Sequence, residues 1–158
     1  DEVCICNTIE EVMKYRYRVI LADSFPAIDE NTLLLKPKNI IVGLGCRKGI
    51  SEELLEKGLL EILKKNHLDM NQIEALVSID LKKEEKYKVP FLTYSAEMLN
   101  EVEEVSSASS FVKKITGIDN VCERAAVTYC KKHCEYFELI AGKSIETAMT
   151  AAIARRNI

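Results

Sequence analysis

The sequence is poor in the features that mark fibrous, disordered and membrane-spanning chains. Only 3 of its 158 residues are proline and 6 are glycine, while 47% are hydrophobic and 30% are charged, which is an ordinary globular composition. The longest apolar stretches, such as residues 33–35 and 40–44, are far shorter than the ~20 residues that a membrane-spanning helix needs. We therefore expect a folded, globular chain that does not enter a membrane.

An excess of charge of one sign is also lacking. The 22 basic and 25 acidic residues leave a net charge of −3, so no overall positive field attracts nucleic acid or an anionic membrane. The start of the chain also lacks the basic residues, apolar stretch and small-residue cleavage site of a secretory signal. We predict a cytoplasmic protein that binds neither nucleic acid nor membrane, and in which any anion is bound by local groups.

The six cysteines do not form the pattern of a disulfide framework. Without a secretory signal, free thiols are the natural interpretation of cysteines in a chain of this size. Cys130, His133 and Cys134 are spaced to present ligands from about one helical turn, but no second cluster completes a tetrahedral zinc set. No metal site is predicted.

Apolar runs of strand length alternate with amphipathic segments along most of the chain. This alternation predicts an α/β domain over residues 39–158, with three α/β/α layers and a mostly parallel sheet. Residues 147–154 are ambiguous between strand and helix because alanine-rich and threonine-rich features mix there. The predicted strands are 39–44, 75–79, 91–94 and 137–141, and the predicted helices are 51–66, 95–102, 111–115 and 120–130, with Ser51 and Ser95 as N-caps.

Two segments depart from this regular alternation. The first 38 residues predict a small βαβ fragment, with strands at 3–6 and 17–21 and a helix at 8–15, followed by a connector at 24–39. The second is the connection at 81–90, which is shorter than the dozen or more residues that a parallel crossover needs. Either the strands that it joins are antiparallel, or residues are absent from this part of the sequence.

The most informative local feature is Gly-Leu-Gly-Cys-Arg-Lys-Gly at residues 43–49, which we call the glycine segment. Its glycines permit a tight turn and close approach of a ligand, and the start of the next helix offers unpaired N–H groups to an anion. Arg47 and Lys48 add positive charge where parallel strands end and ligands bind. The alternative is that the glycines only make the turn. The segment matches neither Gly-x-Gly-x-x-Gly nor a nucleoside-triphosphate loop, so it supports nucleotide binding only weakly.

Further short motifs follow the glycine segment in a fixed order over residues 33–155. Several motifs in one order are more specific than any one of them, and together they resemble the CbiG family and its shorter relative CobE. The stretch after Glu85 is shorter than the family pattern by about a helix, which favours omitted residues there. The motifs are Leu-Lys-Pro-Lys at 35–38, the glycine segment, Asp-Leu-Lys at 80–82 with Glu85 beyond, Val-Cys-Glu-Arg-Ala-Ala at 121–126, and Lys143 followed by Thr-Ala-Ala-Ile-Ala at 150–154.

The resemblance implies a role in cobalamin biosynthesis. CbiG opens the ring-A lactone of cobalt-precorrin-5A with water and gives cobalt-precorrin-5B and acetaldehyde. The cobalt belongs to the substrate, so no cofactor is implied. The resemblance further implies that residues 39–158 are the C-terminal CbiG/CobE domain. Residues 1–38 would be a remnant of the middle region plus a connector, with the N-terminal domain absent.

Water attack on a lactone needs a base and donors for the developing oxyanion. Under the resemblance, Glu123 and Asp80 are the candidate bases, with Glu85 as a further option, and Lys143 is the candidate partner of the oxyanion or of a substrate carboxylate. Each also has a structural interpretation, since Glu123 suits a helix start, Asp80 a turn and lysines solvent. Cys46 is interpreted as a small residue of the turn rather than as a nucleophile. The predicted substrate-binding residues are Gly43, Gly45, Cys46, Arg47, Lys48, Gly49, Lys82 and Thr150.

Two other functions stay open. The domain could bind or carry the corrinoid without catalysis, with hydrolysis in the absent N-terminal domain, and the existence of shorter CobE-like proteins supports this alternative. A mononucleotide-binding module would rest only on the glycine segment and the α/β pattern. Whether the chain forms a homodimer, or contacts other enzymes of the corrin pathway, also stays open.

Overall fold

The structure is a computed structural model that describes residues 3–22, 25, 28–46, 49–79, 89–102 and 120–157. Its contacts divide the chain into two compact units, Asp1–Pro37 and Lys38–Ile158. Within the described residues, no helix is long and apolar enough to cross a membrane. The predicted helix at 111–115 lies outside the described residues.

The first unit contains a short helix and two parallel strands. Helix α1 (Ile9–Val12) is capped by the Thr8 hydroxyl, and strand β1 (Arg18–Leu21) pairs in parallel with β2 (Thr32–Leu35). The predicted βαβ fragment is therefore wrong in its order, because residues 3–6 form no strand and the second strand comes from the predicted connector. The difference is explained by strand pairing. Val3 is 95% exposed and pairs with no strand among the described residues, whereas all four residues of β2 pair with β1.

The second unit is built on a five-stranded sheet with the order β5-β4-β3-β7-β6. The chain enters through its central strand, β3, and each following strand is added at one side or the other. A short 3-10 turn at Met70–Gln72 leads into β4. The elements are β3 (Ile40–Cys46), α2 (Glu52–Lys65), β4 (Ile73–Ile79), β5 (Phe91–Tyr94), α3 (Ala96–Asn100), α4 (Val121–His133), β6 (Phe137–Glu146) and β7 (Met149–Arg156).

This sheet is mixed, which confirms the predicted α/β class but adds an antiparallel strand to the predicted parallel sheet. Strands β3, β4 and β5 are parallel, but β7 is antiparallel to both β3 and β6. The cause is a two-residue hairpin, in which Thr147 and Ala148 connect β6 directly to β7. Ala148 adopts a positive φ of 58°, and both the amide and the hydroxyl of Thr147 donate to the Glu61 carboxylate on α2, at 2.8 and 2.7 Å. The ambiguous segment 147–154 is therefore mainly strand.

Helices cover the two faces of the sheet because consecutive side chains of a strand point to opposite faces. Ile40, Val42 and Leu44 of β3 belong to the core that also contains the apolar side of α2. Ile41 belongs to the opposite core, which contains the apolar residues of α3 and α4 such as Leu99. Strand β3 is therefore apolar throughout, as its sequence indicates for a central strand.

The predicted helix starts at Ser51 and Ser95 are confirmed. Each hydroxyl accepts a hydrogen bond from the amide three residues later, which satisfies one of the unpaired donors of a helix start. Strands β4 and β5 pair in parallel, so the antiparallel alternative for the short connection at 81–90 is wrong. The other alternative, that residues are absent from this part of the sequence, stays open.

Candidate functional site

The first two glycines of the glycine segment lie inside a strand. Strand β3 continues through Gly43 and Gly45 to Cys46, and all three pair with β7. The predicted strand ends at residue 44, which leaves Gly45 to the turn, and this is wrong because the antiparallel ladder with β7 extends β3 by two residues to Cys46. Gly49 does lie in the turn that follows, with a φ of 73° that favours glycine.

Gly43 allows the start of α4 to approach the sheet closely. A Cβ atom at this position would overlap the backbone carbonyl oxygen of Cys122 and would reach the amide nitrogen of Ala126 at 3.0 Å. The first turn of α4 therefore lies directly on the backbone of β3. This contact places the side chains at the start of α4 near the carboxyl end of β3.

Thr150 fills the space that Gly45 leaves open on the neighbouring strand. The two residues are paired in the ladder, and the Thr150 hydroxyl donates to the Gly45 carbonyl at 3.1 Å. The same hydroxyl also contacts the thiol of Cys122, which is only 1% exposed. Burial raises the pKa of Cys122 to about 11, and the opposing effect of the Thr150 hydrogen bond is smaller.

Glu123 ties the start of α4 to an irregular part of β6. Its side chain is fully buried, and Oε1 accepts a hydrogen bond from the backbone amide of Lys143. The register of β6 shifts between Ala141 and Ser144, which is the signature of a β-bulge. A bulge releases an amide from the strand ladder, and here that amide binds a carboxylate instead. Strand β6 therefore continues past Gly142, where the sequence predicts its end.

Asn120 is the N-cap residue of α4 but does not cap it with its side chain. Its backbone is left-handed, with φ 46° and ψ 51°, and the residue is 1% exposed. Its Oδ1 accepts a hydrogen bond from the Cys122 thiol at 3.4 Å, so the amide group lies over the first turn of the helix. Sequence reasoning placed the helix start at this residue but assigned it no role.

Comparison with known proteins shows the family to which this chain belongs. The family model described as the cobalamin synthesis G C-terminus matches residues 40–154, nearly the whole second unit. The chain belongs to the CbiG C-terminal family. It is 33% identical over 135 residues to a cobalt-precorrin-5A hydrolase from Priestia megaterium, and the match covers 80% of this chain and 35% of that protein. A protein from Methanocaldococcus jannaschii named as a probable cobalt-precorrin-5A hydrolase is 29% identical over 156 residues, and the match covers 90% of this chain and 48% of that protein.

Solved structures agree with this membership. CobE, a protein from the cobalamin biosynthetic pathway, superposes with a TM-score of 0.68 at 26% identity, over 77% of this chain and 92% of CobE. A cobalamin biosynthesis protein G homologue from Sulfolobus solfataricus shares the fold with a TM-score of 0.58 at 19% identity, over 99% of this chain and 50% of that one. The chain thus spans about a third to a half of the curated CbiG relatives that it matches.

The structure brings together five of the eleven catalytic and substrate-binding residues that the sequence predicts. Glu123, Lys143, Thr150, Gly43 and Gly45 meet where α4 starts over β3, β7 and the bulge of β6. Cys46 ends β3 one residue beyond Gly45 and is partly exposed, and Gly49 lies in the following turn. Arg47, Lys48, Asp80 and Lys82 lie outside the described residues. In the ranges that are described, no three His, Cys, Asp or Glu side chains are grouped to hold a metal ion.

The buried thiol of Cys122 predicts a loss of stability at alkaline pH. Its pKa is raised from 9.0 to about 11 by burial, so the folded state keeps a proton that the unfolded state loses. The protonated thiol therefore contributes fully to the free energy of unfolding below pH 9. This contribution, about 2–3 kcal/mol, is lost as the pH rises through 11. Urea unfolding at pH 8, 9, 10 and 11 measures this.

The matched variants for this prediction are Cys122→Ala and Cys4→Ala. Cys4 is exposed, so its replacement should leave the alkaline decline unchanged, whereas Cys122→Ala should make the decline shallower. Cys130 has a pKa raised to about 12, mainly by burial, and accounts for part of the decline that remains. An equally steep decline in Cys122→Ala would contradict the assignment.

Proposed function

We propose that the chain takes part in the hydrolytic opening of the ring-A lactone of cobalt-precorrin-5A, giving cobalt-precorrin-5B and acetaldehyde within the longer protein. The observation that supports this most directly is the buried carboxylate of Glu123 at the start of α4, which accepts a hydrogen bond from the Lys143 amide. The name shared by the curated relatives supports the substrate class. The cobalt ion is part of that substrate.

Glu123 is suited to act as the base because its orientation is restrained. The Lys143 amide holds Oε1, and the close contact of Gly43 with Cys122 prevents the helix start from shifting. A carboxylate that is held in one orientation and shielded from bulk water can take a proton from a bound water without first reorganising. We assign Asp80, which follows β4, as the alternative base.

Positive groups are proposed to hold the carboxylate arms of the macrocycle. Lys143 is partly buried next to the bulge, and Arg47, Lys48 and Lys82 come directly after β3 and β4 in the sequence. Because β3 and β4 are parallel, their carboxyl ends lie at one edge of the sheet. Acetate and propionate arms are well matched by lysine and arginine donors at such an edge. Gly45, Cys46, Gly49 and Thr150 complete the proposed binding residues, while Gly43, which is covered by Cys122, supports the site by letting α4 lie on β3.

The direct test follows acetaldehyde release from cobalt-precorrin-5A. The longer protein that contains this chain is expected to release acetaldehyde in step with substrate loss, and the chain alone is expected to change the corrinoid spectrum on binding. No release by the longer protein would contradict the reaction. If the longer protein released acetaldehyde but this chain alone did not bind the corrinoid, the active site would lie in another part of the longer protein. If this chain bound the corrinoid but substitutions of the proposed site residues left acetaldehyde release unchanged, a holding or carrier role would be favoured.

A further inference from the structure

A buried side-chain amide at the start of α4 uses only one of its two polar atoms within the described residues. Asn120 is 1% exposed, and its Nδ2 has no hydrogen-bond partner within the part of the chain that the structure describes. Buried polar groups are nearly always paired, so an unpaired donor needs an explanation. A bound molecule that supplies an acceptor would explain it.

The position of this amide relates it to the proposed base. Asn120 and Glu123 are the N-cap and third residues of α4, so both belong to its first turn. Such a pair usually forms reciprocal hydrogen bonds with the helix backbone. Here the Asn120 side chain does not cap α4, because its Oδ1 accepts from the Cys122 thiol, and Oε1 of Glu123 accepts from the Lys143 amide. The Nδ2 donor is therefore held over the first turn.

The charge at this helix start favours one kind of acceptor over another. A substrate carboxylate bound at Nδ2 would be negative next to Glu123, and two like charges at a buried position repel each other. A neutral acyl oxygen avoids this repulsion. It becomes negative only as a base takes a proton, so the net charge of the site stays constant.

We propose that Asn120 is a further catalytic residue, whose Nδ2 donates a hydrogen bond to the acyl oxygen of the lactone. This inference rests on the proposed function. Water adds to the acyl carbon, its proton passes to Glu123, and the carbonyl electron pair moves to the oxygen that Nδ2 contacts. The C=O bond then re-forms, the ring C–O bond breaks, and Glu123 returns the proton to the leaving oxygen. The products of this step are one carboxylic acid and one hydroxyl group.

Two variants of the longer protein separate this role from a role in folding. Asn120→Gly accepts the left-handed backbone and removes the amide, and Asn120→Asp keeps the shape and the acceptor for Cys122 but removes the donor. For each we expect kcat for acetaldehyde release to fall about 100-fold or more, as for loss of one oxyanion donor, while KM changes little. The control is Asn66→Asp, which removes an Nδ2 donor to the Ile62 carbonyl (2.8 Å) at the far end of α2.

Each outcome decides between the alternatives. Asn120→Gly also removes the Oδ1 acceptor of the Cys122 thiol, so a lowered kcat with a thermal midpoint no lower than that of Cys122→Ala, which loses the same hydrogen bond, supports the proposal. A wild-type kcat in Asn120→Gly overturns it, and so does a thermal midpoint far below that of Cys122→Ala, since that would show a structural partner for Nδ2. An inactive wild-type protein would instead overturn the proposed function itself, and this inference with it.

Discussion

Gly43→Ala is expected to destabilise the second unit by about 3 kcal/mol or more, at the upper end of the effects of overpacking. The added methyl group would overlap the carbonyl oxygen of Cys122, which belongs to the backbone of α4 and cannot rotate away. The helix start would therefore have to move away from β3. Because proteins are stable by only about 5–15 kcal/mol, urea unfolding should show a clearly lower midpoint.

The matched control for this variant is Gly49→Ala. A Cβ atom at Gly49 would meet nothing within 4 Å, so only its positive φ of 73° opposes the substitution. The expected cost there is about 1–2 kcal/mol, the usual penalty of a left-handed backbone for alanine. A Gly43→Ala protein as stable as Gly49→Ala would show that α4 tolerates displacement, and would weaken the argument that it positions Glu123 rigidly.

These two glycines show why local sequence predicted one part of the segment and not the other. Gly49 is needed for its own backbone angle, which a local pattern indicates correctly. Gly43 is needed because Cys122, almost eighty residues later in the chain, lies against it. A glycine in a turn and a glycine under a helix look the same in sequence, although the first is favoured by its backbone angle and the second because a Cβ atom is excluded.

The direction of strand β7 is a second feature that local sequence could not predict. Helix starts at Ser51 and Ser95 were predictable because the capping hydroxyl and the amide that it binds are three residues apart. The hairpin between β6 and β7 lacks the Asn-Gly or Asp-Gly signal of such turns. It is held instead by hydrogen bonds from Thr147 to Glu61, 86 residues away, which no local pattern contains.

For the candidate site, sequence motifs indicated the residues but not the contacts between them. Glu123 and Lys143 were proposed from the order of short motifs, while their hydrogen bond depends on a bulge in β6. Asn120 was not proposed as a site residue, because an asparagine before a helix is ordinarily a capping residue. Its difference from that pattern lies in its left-handed backbone and unpaired Nδ2, which only the three-dimensional arrangement shows.

Glu123→Gln is expected to lower the turnover of the longer protein by about 100-fold or more, the usual effect of losing a general base. Glutamine has nearly the same shape, and its amide oxygen can still accept the Lys143 N–H that Oε1 accepts now. We therefore expect a loss of stability of only about 1 kcal/mol, the usual net contribution of one hydrogen bond, and little change in KM. Acetaldehyde release measured over a range of cobalt-precorrin-5A concentrations separates kcat from KM.

The control variant for Glu123→Gln is Glu146→Gln. Glu146 is also a buried carboxylate, but it lies at the β6–β7 hairpin and forms an ion pair with Lys65 at 2.6 Å. Its replacement should lower stability and leave kcat unchanged, because it removes a charge that the fold uses and the reaction does not. If the two variants lost turnover equally, the loss would reflect stability rather than chemistry. If Glu123→Gln kept its turnover, Glu123 would only tie α4 to the bulge of β6, and Asp80 would become the leading candidate for the base.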